Sequence, residues 1–277
     1  MRLTLLGTGN PRPNPRRAGP SQHVAVGGAS LLVDCGSGVV RRMTEAGIAA
    51  ERLDYLFITH HHSDHQIDLG HLLISGWVLG RRTPLTVVGP PGTAEYLRRV
   101  LHAHEFDLRA RQFDRRLSPA ALEIPVREVA PGEAVEGDGW RVTPIEVDHR
   151  VVVPAYGYRI EDERGRALVI SGDTAPCDAV VAAAQGAAVL VHELNNAGPY
   201  QPLAPDATEA QREHFRERWE SHTSAEQIGA LAARSGVPTL VLSHLPPTMD
   251  AAWVRATAGA DYRGELHIGE DLLALER

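Results

Sequence analysis

The chain has 277 residues, 43% of them hydrophobic, with 28 Lys and Arg against 35 Asp and Glu, and a net charge of −7. That size supports a substantial core in one large domain or two small ones, and no apolar run is long enough to cross a bilayer. The acidic balance argues against a nucleic-acid partner, although a local basic patch can hide in an acidic total, and two cysteines, Cys35 and Cys177, exclude a disulfide framework.

The first nine residues, Met1 to Gly9, read directly as a strand. They lack the apolar core and small-residue cleavage site of a secretion signal, so the cytoplasm is the expected location. An apolar run from Leu53 to Thr59 then opens into His60-His61-His62-Ser63-Asp64-His65. In extended backbone, residues two apart project to one side, so His60 and His62 converge while His61 faces away as a packing residue. The following turn brings Asp64 and His65 toward a second point. Four ligands from one loop exceed the needs of a single open zinc site, which points to two metals and hydrolysis by a bridged water. Asp68 reads as a carboxylate at a helix N-terminus.

Gly89-Pro90-Pro91-Gly92-Thr93 echoes a phosphate-binding loop but lacks the Gly-Lys-Ser/Thr that would hold phosphate and magnesium. A helix is predicted from Ala94 to His104, with Thr93 as its N-cap. Trp140 to Val147 reads as a strand running into Asp148-His149. Tyr156 to Ile170 reads as a hairpin turning at Glu163-Arg164-Gly165-Arg166. Its second strand, Ala167 to Ser171, runs into Gly172-Asp173, and a helix is predicted from Thr174 to Gln185. Ala187 to Val191 leads to His192-Glu193. A loop at Asn196 to Pro202 precedes a charged helix, Thr208 to Glu220, with Phe215 and Trp219 on one side. His222-Thr223-Ser224 introduces a helix that ends at Ser235, before Gly236. The last strand of this kind, Thr239 to Ser243, runs into His244.

The recurring arrangement is a strand followed by a residue able to bind metal. Sites in α/β proteins gather at the carboxyl ends of strands, so these ends are expected to meet. Each residue has a plainer alternative. His149 suits a surface position, Asp173 suits a helix N-cap, His244 follows a buried strand, and His222 suits a capping turn. Glu193 either orients a histidine or satisfies backbone donors. The alternation of strands and helices favours one α/β domain over residues 1–277.

Taken in order, these motifs resemble the metallo-β-lactamase superfamily and, within it, the branch holding ribonuclease Z and arylsulfatase-type hydrolases. The resemblance runs over nearly the whole chain. It includes Leu6-Gly7-Thr8-Gly9, Asp34-Cys35-Gly36, Thr59 to His65, and His149 with Ala155-Tyr156-Gly157-Tyr158. It continues through Ser171 to Thr174, Val191-His192-Glu193, His222-Thr223-Ser224 and Ser243-His244. It implies a four-layer αβ/βα sandwich carrying two zinc ions, with manganese or iron as alternatives. His60, His62 and His149 would hold one ion, and Asp64, His65 and His244 the other, with Asp173 bridging both. Asp64, His222 and Glu193 form the expected catalytic set, with His222 donating a proton to the leaving group. The resemblance also allows a homodimer pairing through a face of the sandwich.

Ribonuclease Z proteins of this branch usually carry a long basic arm that clamps tRNA, inserted in bacteria between the positions of His149 and Asp173. Here that interval holds only the hairpin. The chain instead extends the stretch between Glu193 and His222, so residues 196–221 are expected to form a lid or pocket wall for a small organic substrate, with a dimer contact or a surface helix packed by Phe215 and Trp219 as the alternative. The resulting expectation is a dinuclear zinc hydrolase of a small phosphodiester or aryl sulfate. A tRNA 3′-processing endonuclease, a lactone or carboxylic ester hydrolase, and a non-catalytic metal-binding module are the alternatives.

Overall fold

The computed structural model describes residues 1–113 and 117–277. The first sheet contains β1 (Arg2–Gly7), β2 (Ser21–Val26), β3 (Ala29–Val33), β4 (Tyr55–Phe57), β5 (Thr86–Gly89) and β6 (Val126–Glu128). The second contains β7 (Val135–Gly137), β8 (Trp140–Glu146), β9 (Tyr156–Asp162), β10 (Ala167–Ile170), β11 (Val189–Glu193), β12 (Thr239–Ser243) and β13 (Glu265–Ile268). A final strand, β14 (Ala274–Glu276), returns to the first sheet. The orders are β14-β1-β2-β3-β4-β5-β6 and β13-β12-β11-β10-β9-β8-β7. β3 to β6 run parallel, as do β10 to β13, while β8, β9 and β10 form antiparallel pairs.

The layering follows from residue alternation along buried strands. Leu31, Val33, Phe57 and Val88 of the first sheet meet Leu168, Ile170, Val189, Val191 and Val241 of the second in one core. Their neighbours Leu32, Leu56 and Val87 point outward against α1 (Val39–Glu45), α2 (Leu69–Val78) and α3 (Thr93–Ala103). On the far side, Val169, Leu190, Leu240 and Leu242 pack on α5 (Asp178–Ala184), α7 (Ala225–Ser235) and α8 (Ala251–Asp261). Helix, sheet, sheet and helix therefore stack as the four-layer sandwich. Two further helices, α4 (Glu105–Arg111) and α6 (Glu209–Glu220), bury no residue of their own. No described helix is long and apolar enough to cross a membrane.

Several local expectations need correction. Thr93 is the first residue of α3 rather than its cap. Gly92 precedes it with φ +99°, and the Thr93 hydroxyl donates back to Pro90 O at 2.7 Å. Glu128 does the capping, accepting from the N–H groups of Gly92 and Ala94 at 3.0 and 2.9 Å. The helix expected from Thr174 begins only at Asp178. Pro176 disfavours helical backbone at Ala175, whose N–H instead donates to Asp148 O at 2.7 Å. Asp68 makes no cap bond but accepts from Gly38 N–H at 2.7 Å, tying the start of α1 to that of α2. The expected strand at residues 53–59 shortens to β4, yet its exit is held: Ile58 N–H donates to Val88 O, and Tyr156 N–H donates to Thr59 O. The second bond links the two sheets just before His60.

Candidate active site

The carboxyl ends of β4, β8, β10 and β12 deliver the predicted residues to one place. Asp173 Oδ2 lies at the centre: His244 Nε2 is 3.2 Å away, His65 Nε2 3.3 Å, His60 Nε2 3.9 Å and His149 Nε2 4.0 Å. His62 Nδ1 stands 3.4 Å from His149 Nε2. Asp64 Oδ2 stands 3.2 Å from His244 Nε2 and 3.6 Å from His65 Nε2. Ligand atoms within 4.8 Å of one another thus form two sets, His60/His62/His149/Asp173 and Asp64/His65/His244; a third set is Asp173/His222/His244. Asp173 is not the helix cap that its sequence position allowed. His61 turns away, bonding toward Gln66 and Pro91 O. His192 joins none of the sets.

The outer nitrogens of three histidines are already committed. His65 Nδ1–H donates to Asp34 Oδ2 at 2.7 Å, and His149 Nδ1–H donates to Ser221 O at 3.0 Å. The Thr59 hydroxyl gives its proton to Asp34 Oδ2, so its oxygen accepts from His60 Nδ1–H at 3.0 Å. Each ring is thereby fixed in the tautomer whose Nε2 lone pair faces inward, the arrangement found around metal-binding histidines. His60 Nε2, His65 Nε2 and Asp173 Oδ1 are fully buried without a hydrogen-bond partner. Buried polar atoms of that kind are expensive unless something charged meets them. This donor set is nitrogen and oxygen only, and it fits a divalent cation.

The electrostatics agree. Burial, reinforced by His65, pushes the His60 pKa well down. Burial also lowers His62 and His149, keeping all three rings neutral and able to donate lone pairs. Burial alone would raise Asp173, but His244 and His65 hold it well below the usual carboxylate range. Burial opposes charge on His65, yet Asp173 and Asp34 raise its pKa well above the ordinary value, so its Nε2 offers a lone pair only where a bound cation takes the place of that proton. The same concentration of carboxylates would favour a bound cation.

Beside this cluster, Glu193 sits buried at the end of β11. It accepts from His222 Nδ1–H at 3.1 Å, and from the N–H groups of Thr223 and Asn195, each at 2.8 Å. Both roles considered for it from sequence are therefore filled at once. Burial works against the charged form of His222, but Glu193 lifts its pKa to about 9. The site opens into a cavity of about 1110 Å³. Its walls include His222, Arg12, Arg150, Phe215, Arg218 and Trp219.

Asp34 is the main contributor missed as an individual residue. It belongs to a motif of the resemblance, and a buried carboxylate after the apolar strand Leu31-Leu32-Val33 was the available signal. Arg12 gave no sequence signal of its own.

Residues 30–245 match the family described as the Beta-lactamase superfamily domain. A protein named Ribonuclease Z from Mycobacterium sp. (strain KMS) is 42% identical over 283 residues, spanning 100% of this chain and 96% of the relative. Another of that name from Mycobacterium avium is 39% identical, spanning 98% and 96%. Among solved structures, the metallo-β-lactamase fold protein YhfI from Bacillus subtilis superposes with a TM-score of 0.76 at 22% identity, covering 99% of this chain and 98% of its own. The short form of human tRNase Z gives 0.72 at 21%, covering 100% and 99%. These two establish the fold alone.

The sequence relatives correct one expectation. The missing arm and acidic total argued against nucleic acid, but the alignment leaves the first relative no room for a large arm that this chain lacks. That absence therefore does not separate this chain from proteins named Ribonuclease Z. Nothing in the comparisons favours the aryl sulfate expectation. Matched along nearly its whole length, the chain belongs to the beta-lactamase superfamily, alongside relatives named Ribonuclease Z, and is a metal-dependent hydrolase.

Proposed function

We propose that this hydrolase cleaves phosphodiester bonds in RNA, acting as a ribonuclease Z on the 3′ side of precursor tRNA. The observation carrying this reading is the end-to-end 42% identity with proteins of that name. The arginines that line the cavity support an anionic substrate. His60, His62 and His149 would hold one metal and Asp64, His65 and His244 a second, with Asp173 between them. Zinc suits the donor set, as manganese or iron would. When bound, such ions supply Lewis acidity, acidifying water and drawing off the negative charge that develops on a phosphoryl group.

The protein's own groups do the rest. Glu193 accepts a hydrogen bond from His222 Nδ1–H, which leaves Nε2 free to face the substrate and stabilises the imidazolium. With its pKa raised to about 9, His222 carries a proton at neutral pH and can give it to the departing ribose oxygen. Asp34, Thr59 and Ser221 hold the ligand rings in place, so little reorganisation is needed as charge develops. Residues of the segment 196–221 line one wall of the cavity.

The test is incubation of metal-loaded protein with a precursor tRNA bearing a 3′ trailer, with the product ends mapped. Cleavage at the trailer junction, weakening steeply with salt, is expected. Hydrolysis of bis(p-nitrophenyl) phosphate without any precursor cleavage would replace this reading with that of a small-phosphodiester hydrolase.

A further inference from the structure

The stretch between Glu193 and His222 places an aromatic group at the wall of the cavity. Thr208 starts α6 with a capping box, its side chain accepting from Gln211 N–H. Phe215 and Trp219 line the cavity, and Tyr200 closes against both, with centroids 5.6 and 5.1 Å away. Tyr200 is still 55% exposed, and α6 buries none of its residues. Apolar packing normally supplies most of a helix's stability; on α6 it comes from these rings, and Phe215 and Trp219, each half-buried, keep part of their surface toward the cavity.

Arginines flank these rings. The Arg218 guanidinium lies 5.7 Å from the centroid of the Phe215 ring. Arg12 reaches the same cavity from the loop after β1. That loop is anchored: Asn10 Nδ2–H donates to Asn195 Oδ1 at 2.7 Å, and Arg12 N–H donates to Asn10 Oδ1 at 3.1 Å. Burial lowers the Arg218 pKa, and the charge on Arg12 lowers it further, so the two cations feel each other. Among the described residues, neither has a carboxylate partner. Arg150, in the same cavity, is tied instead to Asp148 at 3.5 Å and to Glu220 O at 3.2 Å. Of the cavity's acids, Asp64 and Asp173 belong to the ligand cluster and Asp250 caps α8, while Glu217 forms no ion pair among the described residues.

Two neighbouring cations without a counter-ion, set beside stacked rings, match the chemistry of a nucleotide. Guanidinium groups bind phosphate through paired charged hydrogen bonds, and aromatic faces accept any base. We infer that Arg12 and Arg218 hold the phosphate of a nucleotide next to the scissile bond, while Phe215 and Trp219 receive its base. This deepens the RNA reading and rests on it for the position of that nucleotide.

The probe is adenosine 5′-monophosphate, which has no phosphodiester to cleave, compared with adenosine and with inorganic phosphate. Binding to the metal-loaded full chain is followed by calorimetry and tryptophan fluorescence. The Arg12→Gln/Arg218→Gln protein is expected to bind the monophosphate about 10- to 100-fold more weakly, with a flatter salt dependence and little change toward adenosine. Arg12→Lys/Arg218→Lys should recover part of the loss. Trp219→Ala should weaken adenosine and the monophosphate alike. Unchanged monophosphate affinity in the double glutamine variant would overturn the inference, because the phosphate would then sit elsewhere, as on the metals. So would the absence of binding at millimolar concentration. Precursor cleavage by the same wild-type preparation separates the two ideas. Arginine-dependent monophosphate binding without RNA cleavage keeps the nucleotide site and removes the RNA reading; cleavage with arginine-independent binding does the reverse.

Discussion

Replacing Asp34 by Asn tests whether histidine tautomers organise the metal cluster. Asp34 has φ +58°, a conformation that Asn also tolerates, so the backbone is undisturbed. The carboxylate accepts from Thr59 N–H at 2.8 Å on Oδ1, and from the Thr59 hydroxyl at 2.8 Å and His65 Nδ1–H at 2.7 Å on Oδ2. An amide can keep its oxygen toward Thr59 N–H only by turning NH₂ toward His65. His65 Nδ1 must then accept, its proton moves to Nε2, and the ring no longer offers a lone pair to the cluster. The opposite flip sets NH₂ against Thr59 N–H, and an unsatisfied buried donor costs about 1–3 kcal/mol. The first arrangement leaves no such orphan, and it should lower metal affinity about 10- to 100-fold, equivalent to roughly 1.4–2.7 kcal/mol. Competition with a chromophoric chelator measures this directly, and turnover of bis(p-nitrophenyl) phosphate should fall in parallel. An Asp34→Asn protein that keeps both metals with wild-type affinity would refute the tautomer argument.

Asp173→Ala removes the atom on which both ligand sets converge, so metal analysis should find a depleted protein with no turnover; a fully active variant would rule out this site. His222→Ala should lower the single-turnover rate about 100-fold or more while metal content stays unchanged, since the proton donor is lost and the cluster is not. Gly172→Ala places a Cβ against Tyr156 O and the Thr59 side chain at φ +62°, where only glycine is unstrained; chemical denaturation should show a loss of about 1–3 kcal/mol. His23 is buried beside Ser30, with its pKa depressed by burial to about 4. Its neutral form is favoured in the fold, so its contribution is complete above the unfolded value of 6.5 and is lost as pH falls toward 4. That window corresponds to about 3 kcal/mol. Denaturation midpoints of wild type and His23→Gln should therefore converge as pH falls across it, and parallel curves would contradict the assignment.

The sequence was most legible where chemistry and local backbone coincide. His60, His62, Asp64 and His65 share one loop, so their residue types alone point to metal. His149, Asp173 and His244 are separated along the chain, but each follows a strand: β10 and β12 both pair parallel with β11, and β8 points the same way because two successive antiparallel pairings separate it from β10. Asp34 was harder, because its role depends on the exits of β3 and β4 meeting across the first sheet. The start of α5 was misplaced because the preference of Pro176 and a bond to Asp148 outweigh local helix propensity. Net charge was also a poor guide to the cavity. Net charge sums the whole surface, whereas Arg12, Arg150 and Arg218 are gathered at one cavity only by folding.

Backbone conformation adds a second record of function. Asp34 follows β3, Gly172 follows β10 and His244 follows β12, and all three have left-handed φ, at +58°, +62° and +57°. Such residues turn the chain sharply as it leaves the sheet. Glycine meets this need without strain at position 172, where Asp173 supplies the functional group. At positions 34 and 244 the strained residue is itself a functional group, so a side chain is retained at a cost of about 1–2 kcal/mol each. Bonds from Thr59 and His65 to Asp34, and the contact of His244 with Asp64, offset that cost. Stability alone would place glycine at all three turns. The presence of Asp and His at two of them is explained by the site they build.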